Sequence, residues 1–290
     1  MIIDALMDAA VDSIKLLPFL LITYLAMEYI EEKAGARTGA AVKKAGRFGP
    51  LAGGLLGVIP QCGFSAAAAN LYAGHIITPG TLIAIFLSTS DEMLPIFISE
   101  HVEVGFILKV LILKVLLGMA AGFAVDFVYF SCLKKNPRPI DIHHICENEH
   151  CHCHDEEDEE EGHGIVKPAL KHTLNVFVFV LLFSFLLNLL FAWLGEESLQ
   201  QLIYNRPVIS EFLAGLVGLV PNCASSVALT QLYLEGVLSF GAMMSGLLVN
   251  AGVGVLVLFK INDNRRENLT LLGVLYGIGV LFGCLLELVM

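Results

Sequence analysis

The chain has 290 residues, of which 56% are hydrophobic and 16% charged, with a mean hydropathy of +0.75. Soluble domains run nearer to about 45–50% apolar and about 25% charged, so these figures point away from a soluble enzyme and towards an all-α polytopic membrane protein. The net charge of −11 comes with no basic stripe, which excludes a nucleic-acid partner.

In chain order, Asp4, Asp8 and Asp12 precede the first apolar stretch, where a secretory leader would need a positive region and a small-residue cleavage site. Residues 14–30 are therefore expected to be a retained helix. The segment 49–74 follows, interrupted by Gly53, Gly54, Gly57, Pro60 and Gly63. A proline inside a helix removes a hydrogen bond and clashes with the preceding turn, at about 3 kcal/mol. The next apolar segment, 78–98, is interrupted by Thr89-Ser90-Asp91-Glu92, and a closing helix spans about 105–131. After a polar loop come 172–194, 207–235, 238–259 and 267–289. The run Phe177 to Phe191 has only Ser184 and Asn188 as polar residues and continues to Leu194. That approaches the roughly 20 apolar residues needed to cross a hydrocarbon core of about 30 Å.

An internal duplication organises these segments. Gly54-Leu55-Leu56-Gly57-Val58-Ile59-Pro60-Gln61-Cys62 matches Gly215-Leu216-Val217-Gly218-Leu219-Val220-Pro221-Asn222-Cys223 at an offset of 161 without a gap. Ser65 then matches Ser226, Leu71-Tyr72 matches Leu232-Tyr233, and Gly80 matches Gly241. The expected organisation is a first transmembrane repeat over 1–131, a cytoplasmic loop over 132–171 and a second repeat over 172–290.

Charged flanks assign orientation. Lys33, Arg37, Lys43, Lys44 and Arg47 lie in 32–48, Lys134, Lys135 and Arg138 in 133–138, and Lys260, Arg265 and Arg266 in 260–266. Basic loops stay in the cytoplasm. Loops 99–104 and 195–205 carry Glu100, Glu103, Glu196 and Glu197 without Lys or Arg, and face outward. The two repeats are then inverted copies. Between loop 32–48 and loop 99–104 the chain must cross an odd number of times, so 49–74 and 210–235 are expected to be broken or re-entrant helices. Irregular backbone at membrane depth survives only inside protein or beside a water-filled cavity. Tips at Pro60 and Pro221 would meet near the midplane, as in secondary transporters.

At those tips Gln61, Cys62 and Ser65 face Asn222, Cys223, Ser225 and Ser226, a mixed hard and soft ligand set for an ion or substrate. For the serines, close packing of membrane helices is an equal alternative. Asp91 and Glu92 are candidates for ion binding or proton carriage, because adjacent carboxylates in an apolar segment cost several kcal/mol unless paired, protonated or metal-bound; the outer interface is their bland alternative. Asn250 stands opposite Thr89 at the repeat offset. Lys114 lies about 15 Å deep by helical rise and invites a structural salt bridge to Asp91 or Glu92. Asp126 and Glu287 read as anchors at helix ends, and His75 as interfacial. In the central loop, His143, His144, Cys146, His150, Cys151, His152, Cys153, His154 and His163 form a His/Cys tract beside the acidic run 155–161. Imidazole and thiolate are preferred ligands of transition metals, the spacing matches no zinc-finger template, and the tract reads as a flexible metal collector. The seven cysteines make no even framework, so disulfides are not expected.

The paired Pro-Gln-Cys-Gly and Pro-Asn-Cys motifs, the duplicated halves and the His-rich central loop resemble the ten-helix heavy-metal exporters, whose members are labelled arsenic efflux proteins or manganese transporters. The resemblance covers nearly the whole chain outside the central loop and implies metal or metalloid efflux across the cell (inner) membrane. No Walker sequence is present, so an ion gradient would drive export of a manganese- or zinc-like ion, with no cofactor required and the lipid bilayer and substrate as partners. Arsenite or an organoarsenical is the alternative substrate. A non-transporting metal sensor and an intramembrane enzyme are alternatives of other classes.

Overall fold

The computed structural model describes residues 7, 10–11, 13–15, 17–18, 20–25, 48–58, 62–90, 93–132, 166–194 and 209–289. Every regular element among them is helical. We number the helices α1 (Ser13–Leu25), α2 (Gly49–Leu56), α3 (Cys62–Ala73), α4 (Pro79–Ser88), α5 (Met93–Ser99) and α6 (Val104–Phe127), the last continuing into a π-helical turn, Val128–Cys132. Then come α7 (Val166–Leu194), α8 (Ile209–Gly218), α9 (Cys223–Leu234), α10 (Phe240–Val249), α11 (Gly254–Ile261) and α12 (Arg265–Val289). Helix α7 begins at Val166, ahead of the 172 expected from hydropathy. Adding 161 to the bounds of α3 gives 223–234, those of α9, and adding it to the bounds of α4 gives 240–249, those of α10.

Helix length sorts the elements. Helix α6 has 24 residues and α12 has 25, about 36 Å at 1.5 Å per residue, enough to cross a membrane. Helices α2 and α3, with 8 and 12 residues, are each too short to do so. Five stretches are long and apolar enough: Pro79–Ser99, Val104–Ser131, Ala169–Leu187, Phe240–Ile261 and Arg265–Val289. Two of these are not single helices. The segment expected as 78–98 parts into α4 and α5, and that expected as 238–259 parts into α10 and α11 and ends at Ile261.

Burial separates the five. The interrupted stretch Phe240–Ile261 is 94% buried and Pro79–Ser99 75%, whereas the three uninterrupted ones are each 28% buried. The uninterrupted helices carry apolar stripes on their open faces: Leu108, Ile112 and Leu116 on α6, Leu170, Leu174, Val178, Leu182 and Leu186 on α7, and Leu281, Leu285 and Leu288 on α12. Such large apolar faces suit lipid rather than water. Protein surrounds the broken helices, where a backbone break is tolerable.

Glycines set the close approaches. A Cβ on Gly122 would stand 2.5 Å from the Gly80 carbonyl oxygen, and one on Gly241 2.6 Å from that of Gly283, so only hydrogen fits where α4 meets α6 and α10 meets α12. Helices α2 and α4 lie side by side and run the same way, with Gly49 at Thr81, Gly53 at Ile85 and Gly57 at Ser88. The chain must therefore double back between the end of α2 and the start of α4.

Helices α3 and α9 make contacts between the two halves of the sequence. Helix α3 packs along α11, where Gly254 rests on the backbone of Ser65, and α9 packs against α5. Tyr72 at the end of α3 donates to the Glu267 carboxylate on α12, while Tyr233, its counterpart on α9, stacks on Phe106 of α6 with ring centroids 5.9 Å apart.

Candidate functional site at the two helix breaks

The breaks after α4 and α10 arise from side chains that turn back on the backbone. Ser88 Oγ donates to the Ala84 carbonyl (2.8 Å) and Thr89 Oγ1 to that of Ile85 (2.7 Å), and α4 stops there. Short polar side chains compete with the helical ladder in this way. At the second break Asn250 turns to ψ 103°, its Oδ1 accepts from Gly252 N (2.8 Å), and Gly252 takes φ +53°, a conformation natural to glycine.

The turn ahead of α9 reaches this break. Asn222 caps α9, its Oδ1 accepting from Ala224 N (3.4 Å). Ser225 Oγ donates to the Asn222 carbonyl (2.7 Å) and accepts from Asn250 Nδ2 (3.2 Å). Ser226 Oγ is committed to the Cys223 carbonyl (2.8 Å). Asn222, Cys223, Ser225, Ser226 and Asn250 are all buried, and Pro221 lies in the turn ahead of α9. Tip and break of the second half thus form one connected polar patch.

Lys114 joins the two breaks. It is 1% exposed, and its Nζ donates to the Thr89 carbonyl, where α4 ends, and to the Leu247 carbonyl in the last turn of α10 (2.9 Å). The last four carbonyls of a helix lack intrahelical donors and carry the negative end of its dipole. These backbone acceptors hold the ammonium; Asp91 and Glu92, to which the sequence reading assigned it, lie outside the described residues.

Asp126 and Glu287 are also more specific than interfacial anchors. Asp126 accepts from Gly80 N (2.8 Å) and Thr78 Oγ1 (2.7 Å), and Glu287 accepts from Gly241 N (2.9 Å), so each caps the start of an interrupted helix from the neighbouring long helix. Ser65 is buried in α3 and contributes its backbone to the contact with Gly254. His75 takes φ +57° in the turn after α3.

Pro60, Gln61, Asp91, Glu92 and the loop residues His143, His144, Cys146, His150, Cys151, His152, Cys153, His154 and His163 lie outside the described residues, as does the side chain of Cys62 at the start of α3. Among the described residues no group of three or more His, Cys, Asp or Glu side chains is placed to hold a metal ion.

Glu211 escaped the sequence reading. It is 1% exposed in the first turn of α8, accepts from Ser210 Oγ (3.2 Å), and its carbonyl accepts from Ser245 Oγ on α10 (2.7 Å). The signal was available: its partner at the repeat offset is Pro50, so the carboxylate occurs in one half only, as Asp91 and Glu92 do.

No family model, no curated protein and no solved structure matches this chain.

Proposed function

We propose that the chain is a secondary transporter that moves a manganese- or zinc-like divalent ion out of the cytoplasm, through a site at the two helix breaks. The observation that carries this reading is the burial of two interrupted helices, one per half, whose broken ends converge on Lys114, Asn250 and the turn ahead of α9. Interrupted helices inside a membrane-type bundle are expensive as scaffolding and useful as ion sites, because their ends present free carbonyls, amides and dipoles. The repeat spacing of 161 and the alternation of basic and acidic loops support inverted halves, with α2–α3 re-entering from the cytoplasm and α8–α9 from outside. The sequence resemblance to the heavy-metal exporters supports the substrate class. Ions would gather on the His/Cys loop, pass the tips at Cys62 and Cys223, and leave past Asp91 and Glu92.

Arsenite is a second reading, favoured by a specific observation. A buried ammonium at the two helix breaks opposes an incoming dication, while arsenite is uncharged at neutral pH and thiols bind trivalent arsenic. Intracellular manganese, zinc and arsenic, measured by mass spectrometry in cells with and without the gene, decides between them. Export of the dication lowers manganese or zinc in expressing cells; equal contents of all three elements contradict both readings. The double change Cys62→Ser, Cys223→Ser should abolish arsenic efflux and leave manganese efflux, with its oxygen-preferring ion, largely intact.

A further inference from the structure

We propose that Lys114 is a tethered cation, filling a carbonyl seat between the two interrupted helices that a dissociable monovalent ion would otherwise occupy. The inference rests on the transport reading only where it concerns coupling; the seat itself stands on geometry. Three observations carry it. The ammonium is 1% exposed, although a charge within a membrane-type bundle is costly unless it serves a purpose. Its acceptors, the Thr89 and Leu247 carbonyls, belong to different halves of the chain, at the ends of α4 and α10. Both ends carry carbonyls without intrahelical donors: the Thr89 amide makes the closing bond of α4, to Ile85, and the Asn250 amide that of α10, to Gly246.

In midplane transporters, unwound carbonyls and the C-terminal ends of half-helices are where a coupling sodium ion is coordinated. Here a covalently attached ammonium takes that position and brings both breaks together. The repeat equivalent of Lys114 is Leu275, so the seat is served from one half only. A protein that carries its own cation needs no sodium or potassium from solution to close this contact.

Thermal unfolding of the purified full chain in detergent, followed by circular dichroism, tests the seat. Lys114→Ala is expected to melt about 10 °C below the wild type, as the loss of one partner from a buried charged contact implies. Ammonium chloride should recover at least half of that shift, and choline chloride at equal ionic strength none, because choline is too large for the vacated seat. The wild type and Lys114→Arg, which keep a tethered cation, should respond alike to the two salts. An ammonium effect on Lys114→Ala no greater than that of choline overturns the proposal. Should Lys114→Ala fail to fold, wild-type proteoliposomes decide: metal flux is expected to be unchanged when sodium and potassium are replaced by choline, and flux that requires either ion overturns the proposal. Ammonium-specific recovery in a protein that moves no metal sustains the seat and removes the transport reading.

Discussion

At the break after α4 the chain reads Thr89-Ser90-Asp91-Glu92; at the break after α10, 161 residues on, it reads Asn250-Ala251-Gly252-Val253. The surrounding scaffold is nearly the same in both places. Thr78 and Ser239 cap the two interrupted helices, Asp126 and Glu287 hold their first amides, and Gly122 and Gly283 let them pack against the long helices. The chemistry at the breaks differs. One half brings two acidic residues and a lysine, the other an asparagine bonded to Ser225 of α9. A duplicated frame with charges placed once separates what the fold requires of both halves from what the site requires of one.

Substitutions at equivalent positions can break or sharpen this comparison. The largest difference is expected between Lys114→Leu and Leu275→Met. The first leaves two buried carbonyls without their ammonium and should destabilise the protein by about 1–3 kcal/mol for each; the second conserves volume and should stay within about 1.5 kcal/mol. Equal melting temperatures would end the claim that the two sites differ. Asn250→Leu should follow, at about 1–3 kcal/mol, since it removes the donor to Ser225 and the acceptor for Gly252 N. It should also reduce metal flux in proteoliposomes more than it lowers the melting temperature. Gly122→Ala and Gly283→Ala are expected to behave as a matched pair, each losing about 1–3 kcal/mol by overpacking, because each glycine faces a backbone carbonyl across the contact. Asp126→Ala and Glu287→Ala should give the smallest losses, about 0.5–2 kcal/mol each, the range for a lost helix cap. A marked disparity within either matched pair, read from unfolding midpoints, would show that the frame is not shared.

The all-helical character and the long apolar helices were legible in the sequence because hydrophobic runs report them directly; the close approaches at Gly122 and Gly283 were not read from it. The offset of 161 read from the sequence carries the bounds of α3 onto those of α9 and the bounds of α4 onto those of α10. The site was less legible, for physical reasons specific to each residue. For Lys114 the sequence reading offered Asp91 or Glu92, which lie outside the described residues, and passed over the backbone carbonyls at the helix ends, because a sequence reading weighs charged side chains first. The end of α4 was visible as the polar run from Thr89, and Ser88 and Thr89 stop the helix there by bonding to the turn behind them; the break after α10 was hidden, because Asn250-Ala251-Gly252-Val253 interrupts the apolar run with one polar residue only. Asp126 and Glu287 looked like interface anchors because their partners, Gly80 and Gly241, are 46 residues away and offer only backbone amides. Glu211 near a helix start reads as exposed, and packing against α10 and α12 buries it.

The opposite insertion of the two halves is the claim on which a shared site depends, and accessibility of single cysteines tests it most directly. In intact cells, with the native thiols replaced, Ser198→Cys should react with a membrane-impermeant maleimide, and Ala40→Cys should react only after the membrane is opened. Labelling of both positions from the same side would contradict the inverted arrangement and, with it, a site built from both breaks.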